Sequence, residues 1–403
     1  MRRTRPQADS VAAGTSGRAL GPGVFLALAL LASVPGPARA DAALAGSSAA
    51  GSATARADAT AGPAAPRKAP ARTSAREPLL ASVCYHRFGT ETRLDPYRIS
   101  LKRLGAQLDW LRSHGWQGVS LTQVAAALQG VPGALPPKGV LLSVDDGYKA
   151  GALGAKVFES HGYRAVYFVY PSVLGAGSFL SWDDLKRLEA RGHTVACHSM
   201  THPDLAKVPK GMDPADYGAW IVHELADSKR RLEQGLGHPV TALAWPYGAY
   251  NPALSAAARR AGYTQVWSVS GGLNLGRSLE PDRLRRILLM GHPSLSSFKE
   301  RFAALPVLDA CKGVQEGGMV YRSELPLALR LRKGVRAYLG GRQLKAPPDA
   351  PGPVLGADLV NGFHYLVLQE DAAGGRRESP LLFQVIPDRW KAHFDALLQK
   401  PAR

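Results

Sequence analysis

Two adjacent carboxylates, Asp145 and Asp146, end the apolar run Val140-Leu141-Leu142-Ser143-Val144 and lead into Gly147 and Tyr148. Four to six apolar residues stopped by a turn signal suit a strand covered on both faces, as in parallel sheets. Successive strand residues point to opposite sides, so the two acids meet different surroundings and suit different work. Taken alone, the stretch is equally a strand-ending Asp-Asp-Gly turn. Further along, His198-Ser199-Met200-Thr201-His202 sets two imidazoles four residues apart, one helical turn, from which both reach one point. With one carboxylate added, two His and one Asp make a metal site that keeps positions open for water and substrate, a catalytic rather than a structural arrangement. The apolar run from Ala242 then ends on Trp245-Pro246-Tyr247-Gly248, a tight turn.

These residues need a scaffold, and the chain offers one from Leu79 onward. Leu80 to Tyr85 is a first strand, and Leu101, Leu104, Leu108 and Leu111 mark an amphipathic helix from Ile99 to His114. Short strands alternate with helices after that: Gly118 to Ser120, the Asp145 strand, Ala165 to Tyr170, Thr194 to Cys197, Ala242 to Trp245, Gln265 to Val269 and Arg286 to Met290. Helices fall at Thr122 to Gln129, Gly154 to His161, Asp183 to Arg191 behind a Ser181 cap, Tyr217 to Gly235 and Ala253 to Ala261. Such alternation calls for a parallel α/β fold, doubly wound or closed into a barrel. Asp145-Asp146, His198 and Tyr247-Gly248 each follow the C-terminal end of a strand, the edge where these folds gather catalytic groups.

With their order and separation, Ser143-Val144-Asp145-Asp146-Gly147, His198-Ser199-x-x-His202 and Trp245-Pro246-Tyr247-Gly248 resemble the first three motifs of the polysaccharide deacetylases, carbohydrate esterase family four with its NodB-like domain. The resemblance covers about residues 79 to 305. It implies a distorted (β/α) barrel of seven or so strands and a divalent metal, most often zinc, with cobalt, nickel or iron as the alternatives. It also implies the division of labour: Asp145 as general base, and Asp146, His198 and His202 as metal ligands. Amide hydrolysis needs an activated water, a polarised carbonyl and a protonated leaving amine, which such a set supplies. Backbone N–H groups around Tyr247 would complete an oxyanion hole.

Two departures from the family pattern stand out. An Arg is expected two places before Pro-Tyr-Gly to steady the base, and Ala244 stands there instead, leaving Arg286 or Arg283 to supply the charge. The family branch acting on poly-β-1,6-N-acetylglucosamine is similar in this, with an aromatic before Pro-Tyr-Gly, an Arg-Ile strand near the end, and a motif like Cys84-Tyr85-His86, which puts His86 at the site. Many relatives also carry a general-acid His after a Leu-rich late strand, for which His292 after Leu288-Leu289-Met290-Gly291 is the loose match. Tyr148, Trp182, Trp245, Tyr250 and Trp267 are candidates to line a sugar groove together with Tyr247 and Gly248, except that Trp267, inside an apolar strand, suits the core.

The rest of the chain bounds the setting. Val24 to Val34 is too short to span a bilayer; with Arg2, Arg3, Arg5 and Arg18 before it and Ala38-Arg39-Ala40 after it, residues 1–40 read as a secretory signal peptide. Residues 41–78, rich in Ala, Gly, Ser, Pro and Arg, read as a disordered linker. The 403-residue chain has a formal charge of +18, of which residues 1–78 carry ten cations against four acids, +6, so the remainder carries +12. That bias suits anionic surfaces, but no nucleic-acid-binding motif accompanies it. Cys84, Cys197 and Cys311 are too few and scattered for a disulfide framework, and the first two suit buried free thiols. After Leu305 the pattern changes to short strands at Met319 to Arg322, Leu327 to Leu331, Val335 to Leu339, Tyr365 to Gln369 and Leu381 to Ile386, then a helix from Asp388 to Lys400. Residues 306–403 thus read as a small β-sandwich-like domain with a terminal helix, after a deacetylase domain at 79–305. The expectation is a periplasmic or secreted, metal-dependent N-deacetylase of an N-acetylglucosamine polysaccharide, β-1,6-linked by preference, with no transmembrane segment after signal cleavage and with exopolysaccharide export machinery as its possible partner. Chitin or peptidoglycan deacetylation, O-deacetylation and non-catalytic glycan binding are the alternatives.

Overall fold

A computed structural model describes residues 77–92, 94–303, 305, 310–372 and 375–399. The expected signal peptide and nearly all of the expected linker lie outside the described residues. Among the described residues no helix is long and apolar enough to cross a membrane.

Seven parallel staves carry the site: β1 (Leu79–Tyr85), β2 (Lys138–Asp145), β3 (Ala165–Val169), β4 (Thr194–Cys197), β5 (Ala242–Ala244), β6 (Gln265–Trp267) and β7 (Ile287–Leu288). Each pairs with the next in parallel from β1 to β6. A bridge from Trp267 to Leu284 and the pairing of β7 with Val83 and Cys84 of β1 then tie the two ends together. The sheet thereby curls into a distorted (β/α) barrel. All seven staves run the same way, so their C-terminal ends share one mouth.

Period-two alternation sorts the side chains. Leu80, Leu141, Val166, Phe168, Ala196, Ala244, Trp267 and Leu284 fill the barrel interior, whereas Ala81, Val83, Val140, Leu142, Val144, Tyr167 and Val195 face the helix layer. On β2 the inward series Leu141, Ser143 ends on Asp145. The helix layer begins with α1 (Leu101–Ser113), capped by Ser100 and burying Leu104, Leu108 and Leu111, and continues with α2 (Trp182–Ala190), where Ser181 and Asp184 form a reciprocal capping box. The helix read as Tyr217 to Gly235 starts earlier, at α3 (Pro214–Val222) with Asp213 as its cap. It is interrupted by a π-helical turn, His223–Asp227, before α4 (Ser228–Leu236). Asn251 caps α5 (Pro252–Arg260).

The C-terminal segment builds a five-stranded sheet from β8 (Gly318–Tyr321), β9 (Val335–Leu339), β10 (Arg342–Gln343), β11 (Gly362–Ala372) and β12 (Gly375–Ile386), ordered β8-β12-β11-β9-β10. Two short ribbons accompany it, Cys311–Lys312 with Arg330–Leu331 and Leu327–Ala328 with Val354–Leu355. On β12, Leu381, Phe383 and Val385 join Leu329, Leu355 and Leu366 in this segment's own core. The alternate residues Leu382 and Ile386 join the barrel's outer core beside Phe394 and Leu397 of the closing helix α6 (Lys391–Gln399). The sheet is therefore apolar on both faces.

Candidate active site

Asp145 enters the barrel mouth from the end of β2 and is 2% exposed. Its Oδ1 accepts from the Arg286 guanidinium at 2.7 Å and its Oδ2 from the Cys84 thiol at 3.3 Å. Arg286 is wholly buried; it also donates to Ser143 Oγ at 3.1 Å and to the Ser268 carbonyl at 3.0 Å, and lies 5.0 Å from the centre of the Phe168 ring. Burial presses the Asp145 carboxylate to take up a proton, but Arg286 first, then His198 and His86, outweigh it and hold the pKa below the usual range. Cys84, its pKa raised by burial, stays a thiol and is the donor toward the carboxylate. The other arginine considered from the sequence, Arg283, instead bonds Glu280 and the Glu316 carbonyl.

Asp146 leaves the strand path with a left-handed φ of 75°, which turns its carboxylate away from Asp145's partners. Its Oδ1 lies 3.7 Å from His198 Nε2 and 3.3 Å from His202 Nε2, and the three groups offer ligand atoms all within 4.8 Å of one another. That oxygen is buried with no donor aligned on it. His198 Nδ1 sits 2.8 Å from the Ala244 carbonyl, which requires the proton on Nδ1 and leaves the Nε2 lone pair facing the cluster. Burial lowers the His198 pKa to about 4 despite nearby Asp145, so the ring is neutral at neutral pH. A donorless carboxylate oxygen facing a lone pair on a neutral imidazole, with a second imidazole beside it, fits a divalent cation.

The loop between the two histidines is pinned from the helix layer. Glu224 Oε2 accepts from the backbone N–H groups of Met200 and Thr201, each at 2.9 Å, and Oε1 from the Thr201 hydroxyl at 2.6 Å. Glu224 is 1% exposed and sits in the π turn, a distortion that recurs at functional sites. Sequence reasoning missed it, although the signal is present: Glu224 falls on the largely apolar stripe of Tyr217, Ile221, Leu225 and Leu232, where a charge has no place without buried donors. Five non-glycine described residues adopt left-handed φ: Asp146, Ser199, His202, Tyr247 and His292. Four of them make up this site, a concentration of backbone strain typical of sites whose geometry the surroundings over-determine.

Tyr247 is 52% exposed, φ 59°, with its ring centred 4.8 Å from that of His202. The turn needs Gly248, since φ is 69° and a Cβ there would lie 2.3 Å from Val269 Cγ2. Several aromatics expected in a sugar groove serve other ends. Trp245 is 1% exposed and stacks on the equally buried Tyr250, because Ala244 takes the interior and Trp245 must turn to the helix layer. Trp182 packs on Gly235 between helices, and Trp267 lies in the core as read from its strand. Tyr148 is partly exposed, with Phe179 stacked on its ring at 4.5 Å and the Arg87 guanidinium 4.8 Å from its centre.

The two remaining histidines are placed differently. His86 packs its ring on Tyr97, and one of its nitrogens lies within 4.8 Å of both Cys84 Sγ and an Asp145 oxygen. His292 Nε2 lies 3.2 Å from the Asp95 carbonyl oxygen, and none of its described contacts is with Asp145, Asp146, His198 or His202. All three cysteines are free, Cys84 and Cys197 buried.

Residues 133–266 match the polysaccharide deacetylase family model. The protein YxkH of Bacillus subtilis, which carries a polysaccharide deacetylase name, is 27% identical over 46% of this chain and 62% of its own length. The poly-β-1,6-N-acetyl-D-glucosamine N-deacetylase of Escherichia coli is 24% identical over 49% of this chain and 34% of its own length. The chain thus spans less than two thirds of either relative. A de-N-acetylase structure from Aggregatibacter actinomycetemcomitans superposes with a TM-score of 0.50 at 22% identity, over 56% of this chain and 100% of that one, a likeness of fold.

Proposed function

We propose that the polysaccharide deacetylase domain carried by this chain hydrolyses N-acetyl groups on an N-acetylglucosamine polysaccharide, with the β-1,6-linked polymer as the favoured substrate. One observation carries the chemistry: neighbouring acids in opposite settings, Asp145 held by Arg286 and Cys84, Asp146 with its buried Oδ1 facing two imidazoles and no donor aligned on it. Asp146, His198 and His202 would hold the divalent ion, zinc by preference; bound there, it acidifies water and stabilises charge on the acetyl oxygen. Asp145 Oδ1 is tethered by Arg286, and Oδ2, which accepts from the Cys84 thiol and lies 3.7 Å from His198 Nε2, keeps a second lone pair to accept the proton of the attacking water. The Tyr247 backbone N–H, in a left-handed turn over His202, is the candidate second donor to the oxyanion. His86, close to Asp145, is better placed than His292 to protonate the amine as the C–N bond breaks and acetate leaves. The β-1,6 preference draws on the name of the Escherichia coli relative and on Cys84-Tyr85-His86, and the signal-like residues 1–40 support action in the periplasm or outside the cell, beside exopolysaccharide export machinery.

The test is amine release from acetylated β-1,6-glucosamine oligomers and from chitin oligomers, with zinc or cobalt supplied and with chelator. Release from the β-1,6 series that stops on chelation is the expected result. Release from chitin alone refutes the linkage, release of acetate without amine from ester-bearing glycans indicates O-deacetylation, and no release from any glycan refutes the enzyme.

A further inference from the structure

Three of the site's segments are held not by the barrel alone but by the C-terminal sheet. Gln384 on β12 is buried, and its amide faces the barrel between Leu382 and Ile386. Its Nε2 donates to the Ala206 carbonyl at 2.8 Å, four residues beyond His202, while its Oε1 accepts from Asn251 Nδ2 at 3.4 Å, four residues beyond Tyr247. Asn251 in turn caps α5 through Leu254 N–H. One side chain thus spans the loop of the second imidazole and the turn of the exposed tyrosine. A second link runs through Glu316, also buried: Oε1 accepts from Tyr250 OH at 3.1 Å, Oε2 from Leu382 N–H at 2.9 Å, and Tyr250 stacks on Trp245 at the head of the same turn. A third link joins Arg285, next to Arg286, to the Pro380 carbonyl at 2.6 Å.

We infer that the barrel-facing side of the C-terminal sheet is a brace that keeps the His202 loop, the Tyr247 turn and the Arg286 strand in mutual register, with Gln384 as its principal positioning residue. The physical ground is that two of the linked segments depart from regular structure, with His202 and Tyr247 in left-handed backbone. Such conformations persist only where neighbours over-determine them. Buried amide bonds are directional, whereas apolar contacts across the same interface would let the loops slide. This role deepens the deacetylase proposal and rests on it for its activity arm alone.

The test uses the full chain. Gln384→Met keeps the side-chain length and removes both amide bonds; Phe383→Leu, one residue away and pointing into the sheet's own core, is the control. For Gln384→Met, kcat on acetylated oligomers should fall about 10-fold with KM unchanged, as expected for a displacement well under 1 Å. The visible ligand-field band of the cobalt-loaded protein should shift as well, since His202 moves. Phe383→Leu should lower the unfolding midpoint yet leave kcat and the cobalt band as in the parent. Wild-type kcat and cobalt band in Gln384→Met overturn the brace, as does an equal fall in kcat for Phe383→Leu measured well below its midpoint. Should Gln384→Met fail to fold, Glu316→Gln reads the same turn through Tyr250, with the same outcomes. If the parent releases no amine from any glycan, the deacetylase proposal fails, while the cobalt band still decides the brace.

Discussion

Replacing Arg286 by Met should make the protein's stability depend on pH in the sense opposite to the parent. In the parent the Asp145 carboxylate is buried and its pKa held below the usual value, Arg286 being the strongest opposition to burial. A depressed folded-state pKa gives stability that is present above the unfolded pKa of about 4 and lost as pH falls through the folded value. Without the guanidinium, burial loses its strongest opponent and only His198 and His86 act against it; the folded pKa should then rise above the unfolded one, so that stability is instead lost as pH rises beyond about 4. Both groups are essentially inaccessible, so solvent screening gives little relief. Leaving one charge of a buried pair behind costs about 3–5 kcal/mol. With an unfolding entropy of about 2 cal/mol/K per residue over the described chain, that is roughly 4–8 °C in Tm at neutral pH, shrinking toward zero near pH 4. Thermal unfolding of both proteins at pH 4, 5.5 and 7, with metal chelated, measures it. A deficit that is constant with pH, or largest at pH 4, refutes the role assigned to the pair. Amine release should vanish at neutral pH in the variant and recover in part at higher pH as Asp145 ionises.

Asp145→Asn should abolish turnover while retaining bound metal, and His198→Ala should lose the metal; metal loss from both, by elemental analysis, would overturn the division of labour between the two acids. Glu224→Leu leaves the N–H groups of Met200 and Thr201 and the Thr201 hydroxyl without their acceptor, and should weaken zinc binding about 10- to 100-fold in chelator competition; unchanged affinity removes Glu224 from the site's support. Gly248→Ala meets both a left-handed backbone and Val269, and should destabilise the fold by at least about 2 kcal/mol in denaturant titration, part of which Val269→Ala should restore.

Much of the site was legible because its residues are local signals. An apolar run stopping on Asp145-Asp146, an imidazole pair at one-turn spacing and a Pro-Tyr-Gly turn all announce themselves within a few residues of chain, and in a parallel α/β fold strand ends converge on one mouth. Ala244 where an Arg was expected even directed attention to Arg286, which the structure sets 2.7 Å from Asp145. What stayed hidden was facing and partnership. Trp245 and Tyr250 suggested a groove by composition, but the alternation that sends Ala244 inward sends Trp245 into the core.

The chain's own sequence determined the alternation of strands and helices, the strand ends that carry polar groups and the residue types at each, because propensity, periodicity and turn chemistry act over a few residues. Only the tertiary structure decided that Cys84 donates to Asp145, that Glu224 pins the histidine loop, that His86 rather than His292 lies beside Asp145, and that Gln384 joins two loops from 178 and 133 residues away. Those contacts depend on the register with which β7 and Leu284 close the barrel and on which face of β12 turns to it, and in a sheet a shift of one residue reverses every side chain.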